Sequence, residues 1–395
     1  MGKDSFFYTI GEFLSKAIPF LLLPILTRML GVEGFGYYSE QLAYVNLMMV
    51  FILLSQDGAL LRYYYKYGKF GTIIISSVAP YISAVLLLCF SFLSFLLDNE
   101  FLMVAAVIAL SQSVLAIQLS RRQCRKMAKD YFVLQLVNTI SILLFTIILL
   151  RGFDTDYRLC FLGIFLGNIT AIIYAKRTTP LGYGANATTQ RRKMFVGYLL
   201  CFGFPLIFHN LSFFAKGYFD RLIIGDMFGY EELSIYSAAF QIAAALSVLI
   251  VALNKALVPY YLEAIKMKSI GRSEVINYSL FSLLIAPILF LIAFVVPEPL
   301  YVFVLGGGFD DISEYISKFV FGISLSVPYL LVVNYCFYYG KNRSIAICTF
   351  SSALLHVGLL YYISPFGIAY LPYALIISNL LSYILLCVVV WRVKH

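Results

Sequence analysis

"LTRMLGVEGFGYYS", Leu26 to Ser39, lies between two long apolar runs, and at an offset of 198 residues "IGDMFGYEELSIYS", Ile224 to Ser237, lies between two more. Met29, Gly31, Glu33, Tyr38 and Ser39 reappear as Met227, Gly229, Glu231, Tyr236 and Ser237. Gapless pairing continues through Val50/Val248 and Ile52/Ile250 to Tyr63/Tyr261. The offset is close to half of the 395 residues, so the chain reads as a duplication.

Composition says what is duplicated. The chain is 62% hydrophobic and 12% charged, against about 25% charged in soluble domains, and so little charge cannot cover a water-facing surface. Lipid cannot satisfy a bare backbone, so each crossing takes a helix of about 20 apolar residues. Twelve such runs occur, near 6–28, 37–61, 72–97, 101–119, 131–150, 158–175, 198–222, 233–257, 276–297, 315–339, 344–363 and 367–391. Seven cysteines stand singly, with no CxxC pair or Cys/His cluster, so neither disulfides nor a metal site is expected, and no cofactor is implied. The first apolar run carries Glu12 and Lys16 and continues past signal-peptide length, so it is expected to be retained.

Charge fixes the direction. The N-terminus, the connections after even-numbered spans and the C-terminus together hold 21 Lys and Arg; the opposite connections hold three, Arg28, Arg151 and Arg158, with most of the acids. Basic loops stay inside, so both termini are expected in the cytoplasm. Net charge of +9 is then topological and implies no nucleic acid partner. Six spans separate the two copies, an even number, so two six-helix halves face the same way about an axis along the membrane normal. The expected organisation is an N-terminal lobe at 1–180, a basic linker at 181–193 and a C-terminal lobe at 194–395, enclosing a central cavity exposed alternately to each side.

Polar groups at bilayer depth cost roughly 2.5–3.5 kcal/mol on insertion scales, so each asks for a reason. Ser5, Thr9, Glu12 and Lys16 share one face of span 1, with Pro19 and Pro24 expected to kink its outer half. Pro205, His209, Ser212, Lys216 and Asp220 share one face of span 7, its repeat partner. Lys16, Lys216, Lys255 and Gln241 are the candidate substrate-binding residues. Glu12, Arg28, Asp57, Asp220, Arg221 and His209 are the candidates for gating or coupling. Asp57 and Lys255 are repeat equivalents of opposite sign near the inner edge, where a pair could close the mouth. Bland readings stand beside these: Glu12/Lys16 and Lys216/Asp220 are i,i+4 pairs that could neutralise one another. Lys255 could snorkel to headgroups, Arg28 could anchor the outer rim, and His209 and His356 could be packing residues. "GGGFDD" at 306–311 lacks the lysine and the strand of a phosphate loop and reads as an outer turn. Gly163 and Gly167 form a GxxxG suited to close packing within a lobe.

"LLLPILTRMLGVEGFGYYS" (Leu21 to Ser39) resembles the first-span ending and outer turn of the Wzx-type flippases for polysaccharide repeat units such as O-antigen. These belong to the multidrug/oligosaccharidyl-lipid/polysaccharide exporter superfamily. "PEPLYVFVLGGGF" (Pro297 to Phe309) resembles the turn before that family's tenth span. The chain departs from many relatives in its shorter length and in the brief "LLDNEFL" joining spans 3 and 4. The resemblance implies a non-enzymatic flippase carrying an isoprenoid-diphosphate-linked oligosaccharide to the outer leaflet of a bacterial inner membrane. It names a polysaccharide polymerase and a chain-length regulator as candidate partners. The alternatives are a cation-coupled multidrug exporter of the same superfamily and, further off, a membrane glycan polymerase or ligase.

Overall fold

The computed structural model describes residues 2–153, 155–179 and 188–392, with side chains from Pro19 onward, Pro259 apart. Every regular element among the described residues is helical. In chain order these are α1 (Gly2–Leu53), α2 (Gln56–Tyr67), α3 (Phe70–Leu96), α4 (Glu100–Cys124), α5 (Ala128–Gly152) and α6 (Tyr157–Thr178). Then follow α7 (Thr189–Gly217), α8 (Phe219–Phe228), α9 (Tyr230–Lys266), α10 (Arg272–Ser282), α11 (Ile285–Val295) and α12 (Glu298–Leu305). The last are α13 (Ile312–Ser324), α14 (Ser326–Tyr338), α15 (Asn342–Ile363) and α16 (Pro372–Trp391).

Among the described residues eleven segments are long and apolar enough to cross a bilayer. The first of them, Pro19–Tyr67, has 49 residues, which at 1.5 Å per residue is more than two crossings need. It turns at Gly31, whose dihedrals (φ 70°, ψ −176°) break α1 into two passes. The described residues therefore carry the twelve passes expected. The turn is much tighter than the sequence suggests: in place of an eight-residue connection, one glycine leaves the helix and the next turn resumes at once. Pro19 and Pro24 do not break the helix; Gly31 is the residue inside α1 with non-helical dihedrals.

Gly229, the repeat equivalent of Gly31, adopts the same conformation (φ 89°, ψ 170°) between α8 and α9. A side chain is strained at positive φ, so the retained glycine in both copies has a backbone reason. The duplication visible in the letters is a duplication of this turn.

The chain folds as two compact units, one made of 1–22 and 37–211, the other of 23–36 and 212–395. In the first, α3 packs on α4 and α5 on α6. Gly163 and Gly167 bring α6 so close to α5 that a Cβ on either would lie within 3 Å of Thr146 or Ile142 backbone, the close packing that the GxxxG spacing implies. The second unit is built on α9 against α13, α11 against α13, and α15 against α16. Outward faces are apolar: Leu88, Phe92 and Phe95 on α3, and Leu291, Phe294 and Val295 on α11, are exposed, as befits a surface bathed in lipid.

Among the described residues four breaks fall inside single passes. Leu54 and Ser55 take left-handed dihedrals between α1 and α2, Tyr218 separates α7 from α8, and looser steps at Leu283–Leu284 and at Leu325 separate α10 from α11 and α13 from α14. Asn99 caps α4 across the brief third connection, its Oδ1 accepting from Leu102 N–H at 3.3 Å.

The glycine turns give a direct test. Gly31→Ala and Gly229→Ala should each lower stability by about 1–3 kcal/mol, the cost of holding a side chain in that region. Gly197→Ala, at a helical site in α7 with open space around it, should leave stability unchanged or raise it. Thermal unfolding in detergent reads the three side by side.

Candidate functional site

The polar stripe of span 7 ends at a helix break, and the break sets its geometry. α7 stops at Gly217, Tyr218 N–H bonding back to Phe214 O at 2.8 Å. α8 then starts at Phe219, with Asp220 in its first turn. The last turn of a helix favours a cation and the first turn of the next an anion, and Lys216 and Asp220 stand at those two places.

Asp220 is 2% exposed and Arg221 4%. The Asp220 carboxylate accepts from Arg221 N–H at 2.9 Å and from Arg221 Nη1 at 3.3 Å. Arg221 Nη1 also donates to Gly217 O at 2.5 Å, so the guanidinium holds the last carbonyls of α7 and the head of α8 together. Its charge lies over the rings of Tyr218 and Phe240, 5.0 and 4.9 Å from their centroids. Fully buried Tyr236, the repeat equivalent of Tyr38, comes within hydrogen-bonding reach of the same carboxylate. A buried pair this well furnished stabilises the break and holds its register.

Lys216, one turn earlier, takes a different set of partners. Its Nζ donates to Ser382 Oγ at 2.9 Å, Asn379 Oδ1 at 3.1 Å and Ser378 O at 3.5 Å, all on α16. The acceptors are themselves fixed: Ser382 Oγ donates to Ser352 Oγ on α15 at 2.6 Å, and Asn379 Nδ2 to Gly322 O on α13 at 3.0 Å. Ser378 Oγ lies 3.4 Å from Nδ1 of His356, a histidine 1% exposed. The Lys216 ammonium is thus solvated by neutral oxygens inside the second unit. The i,i+4 neutralisation with Asp220 gives way because the break at Gly217 turns the carboxylate toward Arg221.

The remaining expected residues are distributed between the units. Asp57 is half-buried at the start of α2, beside Ser55, whose Oγ accepts from Asn210 Nδ2 at 3.0 Å. His209 is half-buried on α7 in the same first unit. On α9 of the second unit, Gln241 is half-buried and Lys255 exposed. The side chains of Glu12 and Lys16 lie outside the described residues.

Arg28 belongs to another assembly. α12 is a short helix that the sequence does not announce, and its final carbonyls need donors. Thr27 Oγ1 donates to Leu305 O at 2.6 Å, and Arg28 Nη2 donates to Phe303 O. Gly306 then ends α12 at φ 102°, and Phe35 meets Phe309 edge to face at 6.4 Å. The two stretches that carry the family resemblance therefore touch: the end of span 1 caps the helix before the "LGGGF" turn. "GGGFDD" is that turn, as its composition implies. Arg28 is thus engaged with the end of α12.

Sequence reasoning missed the acceptors of Lys216. Ser378/Ser382 and Ser352/His356 recur at i,i+4, yet small polar residues in apolar helices are usually packing residues, so the spacing alone gives no partner.

Comparison with known proteins places the chain. The profile of the family described as polysaccharide biosynthesis protein matches residues 1–265. A Haemophilus influenzae (strain ATCC 51907 / DSM 11121 / KW20 / Rd) protein, Lsg locus putative protein 1, is 38% identical over 389 residues, covering 96% of this chain and 95% of its own. The structure of lipid II flippase MurJ in an inward closed conformation superposes with a TM-score of 0.71 at 12% identity, covering 98% of this chain and 87% of that one. An outward-facing multidrug resistance MATE family transporter of the MOP superfamily gives 0.66 at 13% identity, covering 98% and 94%. At such identities the two structures establish a shared fold.

The Asp220–Arg221 pair yields the second test. Arg221→Met leaves a carboxylate buried without its cation and should cost about 3–5 kcal/mol in unfolding free energy. Adding Asp220→Leu to Arg221→Met should restore a substantial part of that loss. A double variant no more stable than Arg221→Met would show that the pair is not what holds the break.

Proposed function

The chain belongs to the polysaccharide biosynthesis protein family, and from that premise we propose that it is a flippase for an isoprenoid-diphosphate-linked oligosaccharide. The family supplies the pathway and the fold supplies the mode, since chains of this architecture are transporters. Lobes at 1–180 and 194–395, joined by the linker at 181–193, would rock about the cargo and expose it first to one leaflet and then to the other. Both termini are assigned to the cytoplasm of a bacterial inner membrane, on the side where Lys and Arg collect.

A diphosphate headgroup needs positive charge that no protein carboxylate has already cancelled. The single observation that carries this reading is the state of Lys216: its ammonium is held by Ser382, Asn379 and Ser378, which are neutral. Its three N–H donors are engaged there, but no carboxylate cancels its charge, and that charge attracts an anion at longer range where low dielectric strengthens the pull. Lys16, Lys255 and Gln241 are assigned to the same headgroup. Asp57 with Lys255 is assigned to the inner gate. Glu12, His209 and the Asp220–Arg221 pair are assigned to coupling with an ion or proton gradient. A drug exporter for cationic compounds would be ill served by that lysine, which favours the anionic cargo.

Reconstituted vesicles test the proposal. A fluorescent isoprenoid-diphosphate oligosaccharide in the inner leaflet should become accessible to an impermeant quencher only when the protein is present. Lys216→Gln, which keeps hydrogen bonding to α16 and removes the charge, should slow this by about tenfold, equivalent to about 1.4 kcal/mol. Lys216→Arg should retain most of the rate. Full activity in Lys216→Gln would refute the role of the charge, and no protein-dependent movement of any such lipid would refute the flippase.

A further inference from the structure

One group of cations has no place in the transport reading: Arg121, Arg122 and Arg125 at the end of α4. Arg122 is 1% exposed and structural. It donates to Gln118 O at 3.1 Å, Ala175 O at 3.1 Å and Thr178 Oγ1 at 2.9 Å, tying α4 to α6, with Asp130 as its carboxylate neighbour. Arg121 is different. It is 7% exposed, and its one hydrogen bond among the described residues runs from Nη1 to Gln118 Oε1 at 2.9 Å. Its charged neighbours are Arg125 and Arg122, both cations. Arg125, one turn on along the same face, is exposed.

A guanidinium has five N–H donors, and burying one among like charges is costly without an anion. The side chain opens onto a cleft between α2, α3 and α4, lined by Arg121, Arg125, Tyr64, Thr72, Ser76 and Cys124 among others. Thr72 lies in the first turn of α3, a helix of 27 residues with no acid in that turn and no side-chain cap. Thr72 N–H and Oγ1 both donate to Lys69 O, at 3.2 and 2.5 Å, so this wall contributes the positive end of the α3 dipole. Lys69, just before that helix, adds another positive charge near the rim. Arg62 and Lys66 on α2 extend the same sign, with Arg62 lying over the Phe202 ring at 5.4 Å.

We propose that this cleft binds a phosphate ester or free phosphate, with Arg121 as the buried anchor and Arg125 as the rim contact. The two guanidiniums that line it, Arg121 and Arg125, offer the forked N–H donors that tetrahedral oxyanions accept, and the α3 dipole adds the same sign from the opposite wall. The cleft lies at the end of the first unit where basic residues cluster, the level at which the phosphates of membrane lipids lie. The test of this site does not read transport.

Delipidated full-length protein in neutral detergent is titrated with phosphatidylglycerol, with phosphatidylcholine and with inorganic phosphate, following binding by native mass spectrometry and thermal shift. Saturable binding of phosphatidylglycerol well above phosphatidylcholine supports the site and identifies a lipid headgroup. Saturable binding of inorganic phosphate, with nothing gained from the lipid, supports it with free phosphate as the source. In either case Arg125→Gln, at an exposed position, should weaken binding at least tenfold, and Arg121→Gln should do so more strongly. Arg151→Gln, an exposed arginine at the far end of α5, should leave it unchanged. Absence of saturable binding, or equal affinity in wild type and Arg125→Gln, overturns the proposal.

Discussion

Inside hydrocarbon a peptide group finds no water, so every backbone N–H and C=O must be paired by the chain itself. A polypeptide under that rule stays helical to the edge of the bilayer, and its interruptions are satisfied best when they are very short or their loose ends are capped. Gly31 and Gly229 meet the first condition, leaving the helix for a single residue at φ 70° and 89°. Thr27 and Arg28 meet the second, supplying donors to the last carbonyls of α12.

The same rule explains the polar residues deep in the second unit. Where α7 ends at Gly217, carbonyls are released, and Arg221 returns a donor to Gly217 O while Asp220 holds the guanidinium. Lys216, in the final turn, is stabilised by the dipole of α7 and solvated by α16. The discontinuous helix has one physical consequence: its interrupted ends demand polar side chains at bilayer depth, and here they receive them from Arg221 and Lys216.

The architecture is legible in the letters because it rests on local rules. Apolar length marks the passes, alternation of basic loops marks their direction, and Gly31/Gly229 marks the repeat. The turn at Gly31 is shorter than the letters suggest because "GVEGFGYYS" looks like a loop; nothing local says that the eight residues after Gly31, two of them glycines, continue as helix. α12 hides for the same reason, as "EPLYVFVL" merges with the apolar run before it. What could not be read is who meets whom. Lys216 finds Ser382 across 166 residues, and Arg121, counted among loop charges for topology, proves to be buried. Spacing places a residue on a face, and only packing tells what that face touches.

The central claim is that two copies of one six-pass unit cross the membrane in the same direction. Glu33 and Glu231 are repeat equivalents, each two residues beyond its glycine turn and each exposed. In a cysteine-free background, Glu33→Cys and Glu231→Cys label with a membrane-impermeant thiol reagent applied to intact cells. Equal labelling of both positions from outside, with neither requiring permeabilised cells, is the result expected of parallel halves. Labelling of one from outside and of the other only after permeabilisation would mean that the halves are inverted, and the parallel duplication described above would fail with them.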